Sequence, residues 1–404
     1  MQQSTATAEQ WIDANAHPLT GLDADAPLTD LEPLIEAVGD AVVVGLGETT
    51  RASRELFAIR MRIFRLLVER LDFRGLAIQD DQGIVAGLDE YVRTGEGDPR
   101  RLLSEVWAPW RTEETAQALE WVRAFNASNP DDPIHVFGVS PAKARLFDYD
   151  AVADYVRRVA PRRLDELESC YGVIRTAHDV GEHVQRFNGT HPGRPFVEHA
   201  RDAVDLIASL PDGDGKAGAL RHARTIVEFH GSSIAASTGF DSSARFASDA
   251  ILQWRRDTGG KVAYWDGVAF VAGGGPFEVK IAKGERSHGA GSLLRRHLGE
   301  GYLSVLLTFH HGLLHGGVEV PVPPSDYVET TLDRANFDAY CLDLRAPAPS
   351  DVTEWLADAH KTRVVPGIYD PAEDAEHHVV ASRFSEWFDA LVYVREITPT
   401  RMLS

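Results

Sequence analysis

Charged side chains cluster directly after two apolar runs early in the chain, at 42–44 and 75–79. These residues are Glu48, Arg51, Arg54, Glu55, Asp80 and Asp81. Carboxylates that face each other across a crevice have pKa values that are pushed apart, which suits general acid and base catalysis. The alternative role is a set of salt bridges that closes the loop. Glu48 is the strongest catalytic candidate because it follows a glycine turn at the end of a predicted strand.

Three histidines follow a third apolar run, at 302–309. His310 and His311 come directly after that run, and His315 lies four residues beyond His311. Histidine titrates near neutral pH and is therefore a natural general base. Zinc binding by a His-x-x-x-His pair needs a helix that brings both rings to one side, and three glycines between 312 and 317 disfavour a helix. We therefore predict no metal site here, and the alternative is a set of hydrogen-bonded loop histidines.

Asp266 and His230 complete the candidates that the residues themselves suggest. Asp266 follows Trp265 between strand patterns at 261–265 and 268–272, so its carboxylate would point into the same crevice unless it only forms a turn. His230 lies near the end of a helical pattern, where a lone histidine is more often packed or capping than catalytic. The chain has no Gly-x-Ser-x-Gly elbow, no Walker motif and no zinc-binding set of cysteines. We therefore predict neither a cofactor nor a bound metal.

Strand and helix patterns alternate along most of the chain, and these elements must position the candidate side chains. Strand patterns occur at 42–44, 75–79, 134–139, 261–265, 268–272, 302–309, 338–344 and 390–394. Helical patterns occur at 29–38, 54–70, 84–93, 114–126, 241–257, 290–298 and 350–360. This alternation predicts an α/β fold with a largely parallel central sheet flanked by helices. Sites in such folds form at the carboxyl ends of the strands.

Strand patterns vanish between 146 and 235, which predicts a helical insertion or lid. The helical patterns there occur at 150–176, 197–209 and 217–235. We expect a tail or a peripheral helix at 1–20 and an α/β core at 21–145 and 236–404. An insertion of this kind often covers a site, which is why His230 is kept as a possible substrate contact.

Composition excludes several classes of protein. The chain has 404 residues, of which 44% are hydrophobic, and its net charge is −20. No basic cluster offsets this negative field, so nucleic-acid binding is not expected. The apolar runs are too short to span a membrane, and the N-terminus does not resemble a signal peptide. The only cysteines are Cys170 and Cys341, which fits the reducing cytoplasm. We further expect a monomer or homodimer that acts on a small molecule.

Several motifs resemble those of the erythromycin esterase family, hydrolases that open macrolide lactones. The family's Gly-Glu-x-Thr/Ser-His-Gly-x-x-Glu signature is similar to Gly-Glu-Thr-Thr-Arg-Ala-Ser-Arg-Glu at 47–55. Its Trp-x-Thr-x-Glu … Trp-x-Arg-x-x-Asn segment resembles 110–126, and its C-terminal ending resembles 388–400. Arg60 and Arg62 are similar to arginines in one of its helices, and Arg245 is similar to the arginine that opens a later helix. The resemblance runs nearly end to end and implies that the family's fold is retained.

The resemblance also locates four departures in the expected site. The family's first-loop histidine is Arg51 here, and its strand-end glutamate is Gln79. Its paired histidines after a tryptophan correspond to Gly267 and Phe270, which follow Trp265. In the mechanism proposed for the family, histidine and glutamate activate water without a metal. Because these replacements cannot act as a general base at neutral pH, ordinary family esterase chemistry is not expected.

Two functions therefore compete. The first is an enzyme on a polyketide or other secondary metabolite, either hydrolytic or a lyase, dehydratase or cyclase. The second is a non-catalytic binder, such as a pseudoenzyme or an antibiotic-sequestering resistance protein. The catalytic candidates are Glu48, Asp80, Asp81, Asp266, His310 and His311. The substrate-binding candidates are Arg51, Arg54, Glu55, Arg60, Gln79, His230, Arg245, Trp265 and His315.

Overall fold

The computed structural model describes residues 2–141, 143–236, 239–278 and 286–403. Within these ranges the chain forms two compact units. The first contains the described residues up to Val139, those of 247–278 and those from Arg286 onward. The second contains the described residues of 140–246.

A mostly parallel sheet flanked by helices forms the first unit, as the alternating patterns predict. Within the described residues the sheet has nine strands in the order β1-β8-β11-β6-β2-β5-β3-β4, with β7 paired to β6 and a separate hairpin of β9 and β10. The strands are β1 (His17–Pro18), β2 (Val43–Glu48), β3 (Phe73–Asp81), β4 (His135–Ser140), β5 (Lys261–Gly267), β6 (Tyr302–Leu313), β7 (Glu319–Val320), β8 (Ala339–Asp343), β9 (His360–Arg363), β10 (His378–Ala381) and β11 (Ala390–Ile397).

Five adjacent strands of this sheet run parallel, and they determine where polar side chains converge. The parallel series is β11, β6, β2, β5 and β3. On one side of it, β8 pairs antiparallel with β11, and β1 pairs antiparallel with β8. The carboxyl ends of parallel strands lie at the same edge of a sheet. Residues that follow β2, β3 and β5 therefore meet at that edge.

Helices occur in both units. They are α1 (Gln2–Asn15), α2 (Pro33–Val38), α3 (Arg54–Leu71), α4 (Gln82–Thr94), α5 (Pro99–Leu103), α6 (Glu113–Ser128), α7 (Leu146–Val159), α8 (Leu164–Ile174), α9 (Glu182–Phe187), α10 (Phe196–Ser209), α11 (Lys216–Gly231), α12 (Gly239–Thr258), α13 (Val268–Val271), α14 (Ala290–Leu298), α15 (Val328–Leu332), α16 (Ser350–Ala357) and α17 (Phe384–Trp387). In the described ranges, none of them combines the length and the apolar character that crossing a membrane requires.

Helix α3 follows β2 and begins where the sequence predicts. The Ser53 hydroxyl accepts a hydrogen bond from the Leu56 amide at 3.1 Å, so it caps the helix. The helix ends at Asp72, whose φ of 58° places it in the left-handed region. Its apolar residues, among them Ile59 and Phe64, are buried in the main core of the first unit. This packing fixes the loop between β2 and α3 against the sheet edge.

The pattern at 268–272 forms a helix rather than the predicted strand. Residues 268–271 make up α13, which packs against β2. The glycines of β2 allow this approach: a Cβ at Gly45 would lie 2.6 Å from Val271 Cγ1, and one at Gly47 would lie 3.1 Å from Val268 Cα. These glycines therefore serve close packing of α13 on the sheet.

Two other expectations need correction. The pattern at 350–360 is helical only to Ala357, and His360 opens β9. The pattern at 150–176 is broken between α7 and α8, because Pro161 cannot continue a helix. The second unit is helical and has its own apolar core, with Tyr149, Tyr171 and Phe196 fully buried.

Candidate active site

Glu48, Gln79 and Asp266 lie at the ends of three neighbouring parallel strands. Glu48 is the last residue of β2 and is in register with Gly267 of β5. Ile78 of β3 is in register with Trp265 of β5. The next residue of each strand is Gln79 in β3 and Asp266 in β5, so these two lie side by side. The predicted convergence at the sheet edge is thus present for these side chains.

Glu48 forms a buried ion pair with Arg60 of α3. Its Oε2 lies 2.6 Å from Arg60 Nη1, and both side chains are almost fully buried. The Arg60 guanidinium also lies against three rings, with its carbon 5.0 Å from the centroids of Phe57 and Trp110 and 4.5 Å from that of Trp265. Burial lowers the pKa of Arg60, while Glu48 opposes that shift. The pair therefore holds the Glu48 carboxylate in a fixed position at the end of β2.

Arg51 bridges the cluster. Its Nη2 donates to Gln79 Oε1 and, at 2.9 Å, to Asp266 Oδ1, while its Nε lies 3.7 Å from Glu48 Oε1. Its guanidinium carbon lies 4.8 Å from the ring centroid of Trp107, which is partly exposed. The Arg51 side chain is 24% exposed. It is therefore a cationic group of this cluster that a ligand can reach.

Asp266 is a buried carboxylate that accepts three hydrogen bonds. Its Oδ1 accepts from Arg51 and, at 2.6 Å, from the Gly267 amide, and its Oδ2 accepts from the Tyr264 hydroxyl at 2.6 Å. Burial raises the pKa of Asp266 to about 6, although Arg51 and Tyr264 partly offset the increase. A carboxylate that titrates close to neutral pH can both accept and return a proton.

The departures at positions 51 and 267 fit each other sterically. A Cβ at Gly267 would lie 3.1 Å from Arg51 Nη2 and 3.2 Å from Nη1. The guanidinium therefore lies in space that a larger residue at 267 would restrict. An arginine in the first loop and a glycine after Asp266 act together to hold this arrangement.

Several buried polar atoms at this edge have no hydrogen-bond partner in the described residues. They include Glu48 Oε1, Thr49 Oγ1, Arg51 Nε and Trp265 Nε1. Unpaired buried polar groups destabilise a fold and are uncommon in native proteins. Perturbed, buried charged groups in a crevice are typical of functional sites. In chemical terms, the exposed part of Arg51 offers hydrogen-bond donors to an oxygen atom, and Asp266 offers a carboxylate whose pKa burial raises to about 6.

Asp80 and Asp81 have local partners in the backbone. Asp80 accepts from the Asp81 amide at 2.8 Å and from the Trp107 amide at 2.6 Å. Asp81 caps α4 by accepting from the amides of Gly83 and Ile84 at 2.7 and 3.0 Å. Asp80 therefore positions the loop that carries Trp107, and Asp81 fixes the start of a helix.

Arg54 and Glu55 lie at the start of α3 and face other partners. Glu55 accepts from the Thr398 amide at 2.7 Å and from its hydroxyl at 2.5 Å. Arg54 Nε lies 3.6 Å from Glu55, and its side chain is half exposed. These two predicted substrate contacts line a second cleft with residues outside the Glu48 cluster.

The histidines after β6 form separate contacts. The Nδ1 atoms of His310 and His311 lie 3.1 Å apart, and His310 Nε2 lies 3.8 Å from Asp333. Burial lowers the pKa of His310, although Asp333 opposes that shift. His315 Nε2 contacts the Thr400 hydroxyl at 2.9 Å. No contact joins these rings to Glu48 or Asp266 among the residues that the structure describes.

His230 and Arg245 belong to the second unit. His230 Nε2 lies 2.7 Å from the Tyr149 hydroxyl, and burial lowers the pKa of this histidine to about 3. A neutral, hydrogen-bonded ring of this kind is typical of a packed core histidine. Arg245 is exposed on α12.

Sequence reasoning missed a second buried polar cluster in the first unit. Glu329 accepts from the Thr308 hydroxyl at 2.7 Å and from the Arg363 amide at 3.1 Å. Arg363 also pairs with Asp374 at 2.8 Å. Burial raises the pKa of Glu329 to about 7. These residues lie on separate elements, and their sequence neighbourhoods contain no motif that would have joined them.

Tyr264 and Trp107 were missed at the main site for different reasons. Tyr264 lies two residues before Asp266 on one strand, so the period of a strand would have placed both side chains on one face. Trp107 lies in a loop, and no local pattern indicates that it contacts Arg51. Across the described ranges, no group of three or more metal-ligating side chains has a geometry that could hold an ion.

Comparisons with known proteins agree with the fold. The family model described as Erythromycin esterase matches residues 68–397. Erythromycin esterase type II of Escherichia coli is 23% identical over 175 residues, which is 41% of this chain and 40% of that protein. The chain spans two fifths or less of the length of the curated relatives it matches.

Two solved structures share the architecture. A crystal structure described as a succinoglycan biosynthesis protein superposes with a TM-score of 0.69 and 22% identity, and the match covers 100% of both chains. A mutant of the erythromycin esterase EreC, in its open conformation, gives a TM-score of 0.59 at 15% identity, and the match covers 94% of this chain and 97% of that one. At these identities the likeness concerns the fold alone.

Proposed function

Because the chain belongs to the erythromycin esterase family, we propose that it is a diverged enzyme of that family that acts by acid/base chemistry on a polyketide or other secondary metabolite. The observation that carries this proposal is the Arg51–Asp266 pair at the strand ends. It joins a partly exposed cation to a buried carboxylate whose pKa is about 6. Such a pair is what proton transfer near neutral pH needs.

Asp266 is the proposed base, and Arg51 is the proposed substrate contact. At pH 7 Asp266 is mostly ionised, so it can take a proton from the substrate or from a water molecule. Arg51 would bind a carbonyl or hydroxyl oxygen and stabilise negative charge that develops on it. Glu48 lies 3.7 Å from Arg51 Nε and is itself held by Arg60 at 2.6 Å, so it helps to position the Arg51 guanidinium.

The reaction class depends on which proton Asp266 removes. Proton removal from water would give hydrolysis, while removal from a substrate carbon or hydroxyl would give a lyase, dehydratase or cyclase reaction. Arg51 and Gln79 stand where the family resemblance implies a histidine and a glutamate. This replacement favours a route different from ordinary family esterase chemistry.

A non-catalytic binder is the second candidate. It is supported by the contacts of Asp266, whose oxygens already accept three hydrogen bonds from the protein. In a binder of this kind, Asp266 orients Arg51 for the ligand and transfers no proton. For either function we propose a cytoplasmic location, because both cysteines are free and buried.

A panel of lactones, esters and hydroxylated polyketides, followed by mass spectrometry, tests the proposal. We expect conversion of at least one member by the wild type. Asp266→Asn should reduce turnover by about 100-fold or more, as is typical for loss of a general base. Asp131→Asn, an exposed carboxylate outside the site, is the matched control and should retain full turnover.

The products separate the reaction classes. A gain of one water indicates hydrolysis, a loss of one water indicates a dehydratase, and an unchanged mass with a new retention time indicates a cyclase. Ligand binding that raises the Tm, with no conversion of any panel member, would support the binder and contradict the enzyme.

A further inference from the structure

A second cleft lies between α3, α6 and the loop at 22–25. It has a volume of about 900 Å³, and neither Glu48 nor Asp266 lines it, although its lining residue Phe57 contacts Arg60. Its apolar lining includes Phe57, Ala58, Met61 and Ala118, all of which are buried. A cleft of this volume matches the size of sites that hold drug-sized molecules.

Most charged groups around this cleft already have partners. Glu114 accepts from Arg401 Nε at 3.2 Å, and Glu55 is bound by Thr398 and lies beside Arg54. These contacts neutralise one side of the cleft. An anionic ligand would therefore compete with Glu114 for Arg401 and with Glu55 for Arg54.

The loop at 22–25 brings two further carboxylates to the cleft. Arg65 Nη1 donates to the carbonyl oxygens of Ala24 and Ala26 at 2.8 and 3.3 Å, which fixes the loop against α3. Asp23 and Asp25 line the cleft and are exposed. Neither has an ion-pair or side-chain hydrogen-bond partner within the ranges that the structure describes.

We propose that this cleft is a separate binding site for an apolar small molecule that carries a protonated amine. The buried floor would hold the apolar body, and Asp23 and Asp25 would pair with the ammonium group. The net charge of −20 favours a cation over an anion at the mouth. The proposed ligand contacts neither Arg51 nor Asp266, so this site is distinct from the proposed chemistry.

Binding of three dansyl probes with different charge tests the proposal. Dansylcadaverine carries an amine, dansylamide is neutral and dansylglycine is anionic, while the fluorophore is the same. We expect the full-length protein to bind dansylcadaverine at least about fivefold more tightly than dansylamide, and dansylglycine most weakly. The preference should shrink as salt is raised. Equal binding of the three probes, or no binding of dansylcadaverine, would overturn the proposal.

Two kinds of variant locate the probe. Asp23→Asn/Asp25→Asn should remove the preference for the amine, while the control Glu96→Gln/Asp131→Asn, at two exposed positions outside the cleft, should keep it. Ala58→Leu fills the floor and should weaken all three probes, with unchanged circular dichroism showing that the fold is intact. If the double Asp variant keeps its preference for the amine, the probe binds elsewhere and the assignment is refuted. Unchanged binding of the probes by a folded Ala58→Leu protein would refute it as well.

Discussion

Replacing Arg60 with methionine should destabilise the protein strongly. Glu48 would lose the closer of its two cations while it remains buried, with Arg51 Nε still 3.7 Å away. Breaking a buried ion pair from one side costs about 3–5 kcal/mol. Loss of three ring contacts adds roughly 0.5–1 kcal/mol each, and the remaining Arg51 contact offsets part of the total. We therefore expect a loss of at least about 3 kcal/mol in the free energy of unfolding.

Urea unfolding at pH 7 measures this loss, with tryptophan fluorescence and far-UV circular dichroism as two probes of the transition. The double variant Glu48→Gln/Arg60→Met removes both charges and should be less destabilised than the sum of the single variants by about 1–3 kcal/mol. Arg70→Met, at an exposed position of the same helix, should change stability by no more than about 0.5 kcal/mol. A loss below about 1 kcal/mol for Arg60→Met, or strict additivity, would refute a buried, coupled pair.

Three further outcomes follow from individual contacts. Burial raises the pKa of Glu329 to about 7, so the buried carboxyl destabilises the fold increasingly as pH rises from about 4.5 to 7. Glu329→Gln should therefore raise the free energy of unfolding in urea by up to about 3 kcal/mol at pH 8 and by little at pH 4.5. An equal effect of the substitution at the two pH values would contradict this. Ser53→Ala should cost about 1 kcal/mol because the Leu56 amide loses its cap, and an unchanged midpoint in urea would argue against that cap. Gly267→Ala should displace the Arg51 guanidinium and weaken substrate or ligand binding, as titration calorimetry would show, whereas a crystal structure of the variant with Arg51 unmoved would refute the steric coupling.

Strong local signals allowed the main elements of the fold to be predicted. The β-branched run before Gly45 predicted a buried strand, and Ser53 followed by helical spacing predicted the start of α3. The prediction of a strand at 268–272 was wrong because an apolar run of this length suits a strand or a buried helix equally well. The close packing of this segment on Gly45 and Gly47 favours the helix, and such tertiary packing could not be read from the local sequence.

The same limit applies to the site. Strand-end position brought Glu48, Gln79 and Asp266 together in the structure, as parallel strands require. Position alone could not show that Asp80 would hold the Trp107 amide or that His310 would contact Asp333. Those contacts depend on loops and on strands that are distant in sequence.

The pH dependence of kcat/KM for a converted panel member tests the role of Asp266 most directly. With Asp266 as the general base, kcat/KM should rise with pH through an apparent pKa near 6 and then level off. Asp266→Asn should abolish this rise together with most of the turnover, while Asp131→Asn should leave the profile unchanged. A profile that keeps its apparent pKa and its height in Asp266→Asn would contradict the assignment of Asp266 as the base.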